Sequence, residues 1–364
     1  MSKAMVRMAI VLAVVTAGGV GAQPMPQWRL GTQAYSFNRF TFAEAVAKTQ
    51  SLGLKVIEAY PDQKLGGQMG DAPFTHGMSP EHRRQVKQLL ADSGITLVNY
   101  GVVSLPNDEA ECRRVFDFAK DMGIETIVSE PPEEAFDMID RLCQEYEIGV
   151  AIHNHPNPSH YWNYETVLKV CEGRSQWIGA CADTGHWTRS GIDPLEAIEK
   201  LGAAGRIRVL HFKDLNTFGV NDGSAHDVVW GTGVSKAREV LTELDRQGFA
   251  GVFSIEYEYN WLESLPEIAG CVAFFRKTAA ELSDEPYTDV FAGDLSNAVM
   301  EPGAWAFDAD GVLSPAANAH GDIWSRQRYG NFILELDYRV NAGGNSGVFV
   351  RTDSIENWLN TIQE

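Results

Sequence analysis

Four groups of side chains able to do acid–base or metal chemistry each follow directly on a short apolar run. "AIHNHP" carries His153, Asn154 and His155, and "IGACADTGHW" carries Asp183 and His186. "RVLHFKDL" brings His211, Lys213 and Asp214, and "GVFSIEYE" brings Glu256 and Glu258. In an extended run, residues i and i+2 share a face, so His153 pairs with His155, His211 with Lys213, and Glu256 with Glu258. Earlier runs end near Tyr35, Glu58, Asn99 and Glu130. Any one of these could be a loop cap or an ion pair. Several carboxylates and imidazoles gathered at one mouth need neutralising, and a divalent cation does that. Mixed nitrogen and oxygen donors suit Mn, Zn, Co or Fe rather than Mg alone. Asp183 is then expected as a ligand, with His186 reaching substrate or orienting the ligands. Tyr35, Glu58 and Asn99 join His186 as candidates for substrate contact.

The elements that must position these groups repeat along the chain. An amphipathic helix ends at a glycine, an apolar run follows, and polar residues cluster after it. The instances are "SLGLKVIEAY", "DSGITLVNYG", "DMGIETIVSE" and the four runs above. With the opening "WRLGTQAYSF" they give eight strands. Val115, Phe118, Ala119 and Met122 form one helical stripe; Phe136, Ile139, Cys143 and Tyr146 form a second; Ala237, Val240, Leu241 and Leu244 form a third. Strands apolar on both faces and alternating with helices require a parallel sheet. Eight units over residues 27–284 predict a (β/α)8 TIM barrel, with active groups at the C-terminal strand ends. The other candidate, an open doubly wound sheet, is disfavoured because no GxGxxG follows the first strand.

Charge and termini narrow the partners. The net charge of −19 excludes nucleic acid, whose binding needs clustered Lys and Arg. Lys3 and Arg7 precede an apolar run from Met8 to Val15, and Val20-Gly21-Ala22 has cleavage-site character. Residues 1–22 are therefore expected to be a signal peptide, making the mature protein periplasmic or secreted, with no membrane association after cleavage. Cys112, Cys143, Cys171, Cys181 and Cys271 are scattered without CxxC spacing and read as small buried hydrophobes.

On "AIHNHP", "IGACADTGHWTRSGIDPLEAI", "RVLHFKDL" and "GVFSIEYE", residues 28–283 resemble the xylose isomerase-like barrel superfamily of sugar isomerases, epimerases and dehydratases. The resemblance implies a small-molecule sugar substrate and places Asp183, His211 and Glu256 as metal ligands. The usual strand 5 acid is His153 here, so either His153 or Glu130 completes the set. His155, Glu130 and Glu256 are the candidate bases, with Lys213 stabilising an oxyanion. A metal that polarises a carbonyl acidifies the neighbouring C–H, which leads to isomerisation, epimerisation or elimination. The endonuclease branch of the superfamily needs more ligands and a basic surface, and neither is apparent.

After "ELSDEPYTD" the pattern turns to period two, with Phe332, Leu334, Leu336 and Tyr338 alternating before "NAGGNSG", as in antiparallel β-structure. Residues 285–364 resemble the start of a 3-keto-disaccharide hydrolase domain, in which Asn345 and Arg351 are site candidates. The resemblance implies a β-sandwich continuing past Glu364, so this partial piece is expected to bury an incomplete core. The fusion points to keto-sugars or 3-keto-glycosides as substrates. Three readings follow: a metal-dependent isomerase, epimerase or keto-glycoside lyase; a carbohydrate-binding protein with a degenerate metal site; and a metal-dependent phosphodiesterase.

Overall fold

The computed structural model describes residues 9–13, 27–283, 288–308, 311–316, 322–329, 333–337 and 347–348. The chain divides into two compact units, residues 24–282 and residues 1–23 with 283–364.

The larger unit is the expected barrel. Its strands are β1 Arg29–Gln33, β2 Val56–Ala59, β3 Thr96–Tyr100, β4 Thr126–Ser129, β5 Gly149–His153, β6 Ile178–Asp183, β7 Ile207–Phe212 and β8 Val252–Ile255. Each pairs in parallel with its neighbour, and β1 closes on β8 with Arg29 opposite Val252. The helices obey their local signals. Thr41 and Glu44 form a capping box on α1 (Phe42–Ser51), and Ser79 caps α2 (Pro80–Ser93), which has proline at its first position. Gly123, at φ 75°, ends α3 (Glu109–Met122) in the left-handed conformation that only glycine adopts without steric cost.

Side chains on the outer face of the sheet, including Ile57, Ile127, Ile152, Leu210 and Phe253, pack against the helices in the main core. Inside the barrel, Val128, Ala151, Cys181 and Val209 form one layer and Val56, Val98 and Val252 another. These layers fill the interior, so polar groups collect at the C-terminal ends of the strands. All five cysteines are buried and free, as the scattered spacing suggested.

The smaller unit is antiparallel throughout its described residues. Ala298–Val299 pairs with Trp324–Ser325, and Trp305–Phe307 pairs with Leu313–Pro315. Val290, Phe291, Leu295, Ala298 and Leu313 make its buried cluster. Leu334 and Leu336 lie in the strand Ile333–Asp337 as the alternation required, and both pack on that cluster. Ala9–Ala13, from the apolar run of the expected signal peptide, forms a strand between Thr288–Asp289 and Ile333–Asp337. A short apolar run can satisfy either role. Phe332, Tyr338, Asn345 and Arg351 lie outside the described residues. No helix among the described residues is long and apolar enough to cross a membrane.

Candidate metal centre

Strand register sets the site. Asp183, at the end of β6, pairs with His211 of β7, and His211 in turn pairs with Ser254, two residues before Glu256. His153 closes β5 beside them. Ligand atoms of His153, Asp183, His211 and Glu256 all lie within 4.8 Å of one another, and all four residues are buried.

One atom of each is buried without a hydrogen bond: His153 Nε2, Asp183 Oδ2, His211 Nδ1 and Glu256 Oε2. Buried polar atoms without hydrogen bonds are costly. Lys213 ion-pairs with the Asp183 and Glu256 oxygens, which leaves the two imidazole nitrogens facing them. His153 Nε2 stands 3.5 Å from Asp183 Oδ2, and His211 Nδ1 stands 3.1 Å from Glu256 Oε2. Donors held about 2.0–2.2 Å from a tetrahedral ion lie about 3.3–3.6 Å apart, so these residues fit a divalent cation.

The far side of each imidazole is fixed by a carboxylate. His211 Nε2 lies 2.8 Å from Glu58 Oε1, and Glu58 also accepts from Gln33, Asn99 and Ser254. A carboxylate receiving four donors is an acceptor, so His211 Nε2 carries a proton and Nδ1 is the atom turned toward the cluster. Burial works against the imidazolium, but Cys181, Glu58 and Glu256 hold its pKa well above the ordinary value until a cation takes Nδ1. His153 Nδ1 lies 3.1 Å from Glu130 Oε1, which turns its Nε2 inward in the same way. Such carboxylate–histidine pairs orient metal ligands and raise their basicity. Between the two candidates for the fourth position, the geometry puts His153 in the cluster and Glu130 behind it.

Lys213 is the second cation at this centre. Its side chain has no exposure, and Nζ lies 2.9 Å from Asp183 Oδ2, 2.7 Å from Glu256 Oε2 and 3.0 Å from Glu258 Oε2. Burial works against its charge, but Asp183, Glu256 and Glu258 outweigh it and hold the ammonium pKa well above its ordinary value. Burial likewise pushes the Asp183 carboxyl up, whereas His186, Lys213 and His153 hold it well below the usual range. Enclosed by three carboxylates, Lys213 neutralises them rather than standing free for a substrate oxyanion.

The remaining expected site residues separate by depth. Glu58 falls inside β2 instead of after it, and both Glu58 and Asn99 are buried, Asn99 donating to Glu58 beside His211. Tyr35, just past β1, is 36% exposed and packs edge-on against Tyr60 at 5.0 Å and Trp261 at 5.8 Å. His155 is half exposed, and its Nδ1 is hydrogen-bonded to Glu130. Asp214 lies outside the centre, accepting from the backbone of Gly231, Gly233 and Ser235.

His186 belongs to a network that the residue pattern did not reveal. Arg189 donates to its Nδ1 at 2.9 Å, which leaves the imidazole proton on Nε2. Burial, with Lys213, His153 and Arg189 nearby, holds the His186 pKa well below its ordinary value despite Asp183. Arg189 also pairs with Asp227 and Glu258, each at 3.3 Å. Burial pushes the Asp227 carboxyl up to about 7. Arg189 stands three residues after His186, a spacing that puts both on one face of the short helix α6 (Thr184–Arg189). Asp227 comes from a long loop and left no such signal.

Residues 46–278 match the family model for the xylose isomerase-like TIM barrel, and residues 287–363 match that of a 3-keto-alpha-glucoside-1,2-lyase-like domain. The chain belongs to the xylose isomerase-like TIM barrel family. An uncharacterised protein from Parabacteroides distasonis is 34% identical, over 69% of this chain and 99% of its own, with a TM-score of 0.56. A D-tagatose 3-epimerase-like protein shares the fold at 19% identity, covering 70% of this chain and 97% of its own, with a TM-score of 0.54. The IOLI protein with a binding zinc atom does so at 16% identity, over 70% and 97%, with a TM-score of 0.52. No curated protein matches the sequence.

Proposed function

We propose that the chain is an exported, divalent-metal-dependent enzyme that abstracts a proton beside the carbonyl of a keto-sugar or 3-keto-glycoside, giving an epimer or isomer. The observation that carries the reading is the convergence of four buried ligand atoms, from His153, Asp183, His211 and Glu256, within 4.8 Å of one another at the barrel mouth. The epimerase-like neighbour and the zinc of the IOLI structure support it. His153, Asp183, His211 and Glu256 would hold the cation, with Mn, Zn, Co and Fe as candidates. A cation there polarises the substrate carbonyl and stabilises charge developing on its oxygen.

His155 is the base in this reading. Burial would raise the Glu130 carboxyl, but His153 and His155 beside it hold it well below the usual range, so it stays an acceptor. A proton on His155 Nδ1 bonded to Glu130 leaves Nε2 free to take the substrate proton. The C–H electron pair stays with the substrate. Protonation of the opposite face by a second donor, with His155 keeping the first proton, epimerises the carbon. Return of the proton from His155 to the former carbonyl carbon, with the hydroxyl proton passing to the former carbonyl oxygen, isomerises the sugar. His186 donates from Nε2 to a substrate oxygen. Tyr35, with Tyr60 and Trp261, offers an aromatic wall for the apolar face of a sugar ring.

The 3-keto-alpha-glucoside-1,2-lyase-like domain favours a second reading on the same site, in which the electron pair expels a β-substituent with its glycosidic oxygen. Incubation of the metal-loaded protein with oxidised sugars in deuterium oxide tests both. Deuterium should enter the carbon beside the carbonyl, and His155→Gln should slow that entry by about 10²–10⁴-fold. Exchange insensitive to His155→Gln removes the assigned base. No exchange with any keto-sugar leaves the carbohydrate-binding alternative.

A further inference from the structure

The opposite end of the barrel contains a second polar device. Strand β7 is bulged at its start: Ala180 of β6 pairs with Ile207, but the next residue, Cys181, pairs with Val209, so Arg208 is skipped. A bulge re-aims a side chain, and bulges recur beside functional positions. The side chain of Arg208 is thrown across the barrel floor against Gly149 and Gly179. A Cβ at Gly149 would collide with the guanidinium, and one at Gly179 would come within 2.9 Å of Arg208 Cγ.

Arg208 is partly buried and has few partners. Nη1 donates to the Gln176 carbonyl at 2.6 Å, and the guanidinium carbon lies 5.7 Å from the Trp177 ring centroid. Nε is buried with no hydrogen-bond partner. Burial lowers its pKa, offset only by Cys143. Arg206, two residues earlier, shows the contrast: it donates to the carbonyls of Ser175, Ile178, Cys171 and Arg174. A guanidinium with a single protein acceptor has N–H donors left for an anion.

Arg208 lines a cavity of about 490 Å³ together with Arg29, Lys120, Glu125, Glu147 and Trp177. Glu125 is held by both nitrogens of the Arg29 fork, at 2.7 and 2.6 Å. Glu147 and Lys120 are exposed, and Lys120 lies 5.6 Å from the Tyr146 ring centroid. The cavity lining thus has three cations against two acids on a chain of net charge −19. We infer that this floor cavity binds a small oxyanion, such as phosphate, sulfate or a carboxylate, on Arg208 with help from Lys120. The N-terminal end of such a barrel lies away from the catalytic end, and an anion bound only by the folded chain stabilises it, so the bound anion is expected to raise stability.

Isothermal titration of the full-length protein with phosphate, sulfate and acetate at constant ionic strength tests this and separates the three sources. At least one should bind saturably, and Arg208→Gln should weaken it tenfold or more. Asp183→Asn should leave it unchanged, which separates the floor from the metal centre. Lys120→Gln, an exposed change compatible with folding, should weaken it severalfold and decides the matter if Arg208→Gln does not fold. Absence of saturable binding for all three anions, or binding unaffected by these changes at Arg208 and Lys120, overturns the proposal.

Discussion

Asp183→Asn should strip the barrel of its divalent cation while leaving it folded. Asp183 has two separable tasks. Oδ1 caps α6 by accepting from the His186 backbone at 2.7 Å, and Oδ2 faces the centre. Asparagine caps helices as well as aspartate does, so the first task survives. Asn154 also pins the Asp183 backbone from both sides, accepting from its N–H at 2.8 Å and donating to its carbonyl at 3.0 Å. What is lost is the anionic donor between His153 and Lys213. Removing an outer partner of a ligand costs about 10–100-fold in affinity, and loss of the ligand itself should exceed that. Metal analysis and circular dichroism of the purified variant provide the check: an unaltered fold with metal retained at wild-type affinity would contradict the assignment.

The second large effect concerns stability. Lys213→Met leaves Asp183, Glu256 and Glu258 facing one another without their ammonium. Removing one partner of a buried ion pair costs about 3–5 kcal/mol, because the remaining charge is stranded away from water. In chelator the variant should therefore melt on the order of 10 °C below wild type. A divalent cation neutralises the same oxygens, so metal should raise the melting temperature of the variant more than that of wild type. Thermal melts of both proteins with and without metal measure the difference. Equal melting temperatures in chelator would show that the three carboxylates do not depend on Lys213.

The barrel was readable because its signals are local. A glycine ends most of the helices, although Glu147 takes the left-handed position after Phe136–Tyr146. An apolar run makes each strand, and polar residues follow at the strand end. Strand-end position pointed to Asp183; the family resemblance added His211 and Glu256 and left His153 and Glu130 as alternatives. Depth was harder. Glu58 and Asn99 have the same residue types as mouth groups, but β2 and β3 extend to Ala59 and Tyr100, and both side chains are buried. Spatial pairing was harder still. Nothing in the local sequence links Glu58 to His211, 153 residues away, or Arg189 to Asp227 across a long loop. The bulge at Arg208 was hidden for a related reason. One extra residue in a parallel strand leaves the apolar pattern intact and changes only where a single side chain points.

The role of Lys213 shows why charge must be counted in three dimensions. In the sequence it is a cation two residues after a ligand, well placed for an oxyanion. In the structure three carboxylates surround it. In the proposed metal site its charge would compete with the cation, since both would share the Asp183 and Glu256 oxygens.

Titration of the chelator-treated protein with Co²⁺, followed by visible absorption, tests the shared-cation account most directly. The account requires d–d bands that saturate at one equivalent and vanish in His211→Ala. Absence of those bands, or saturation that ignores loss of His211, would mean that the four side chains do not share an ion.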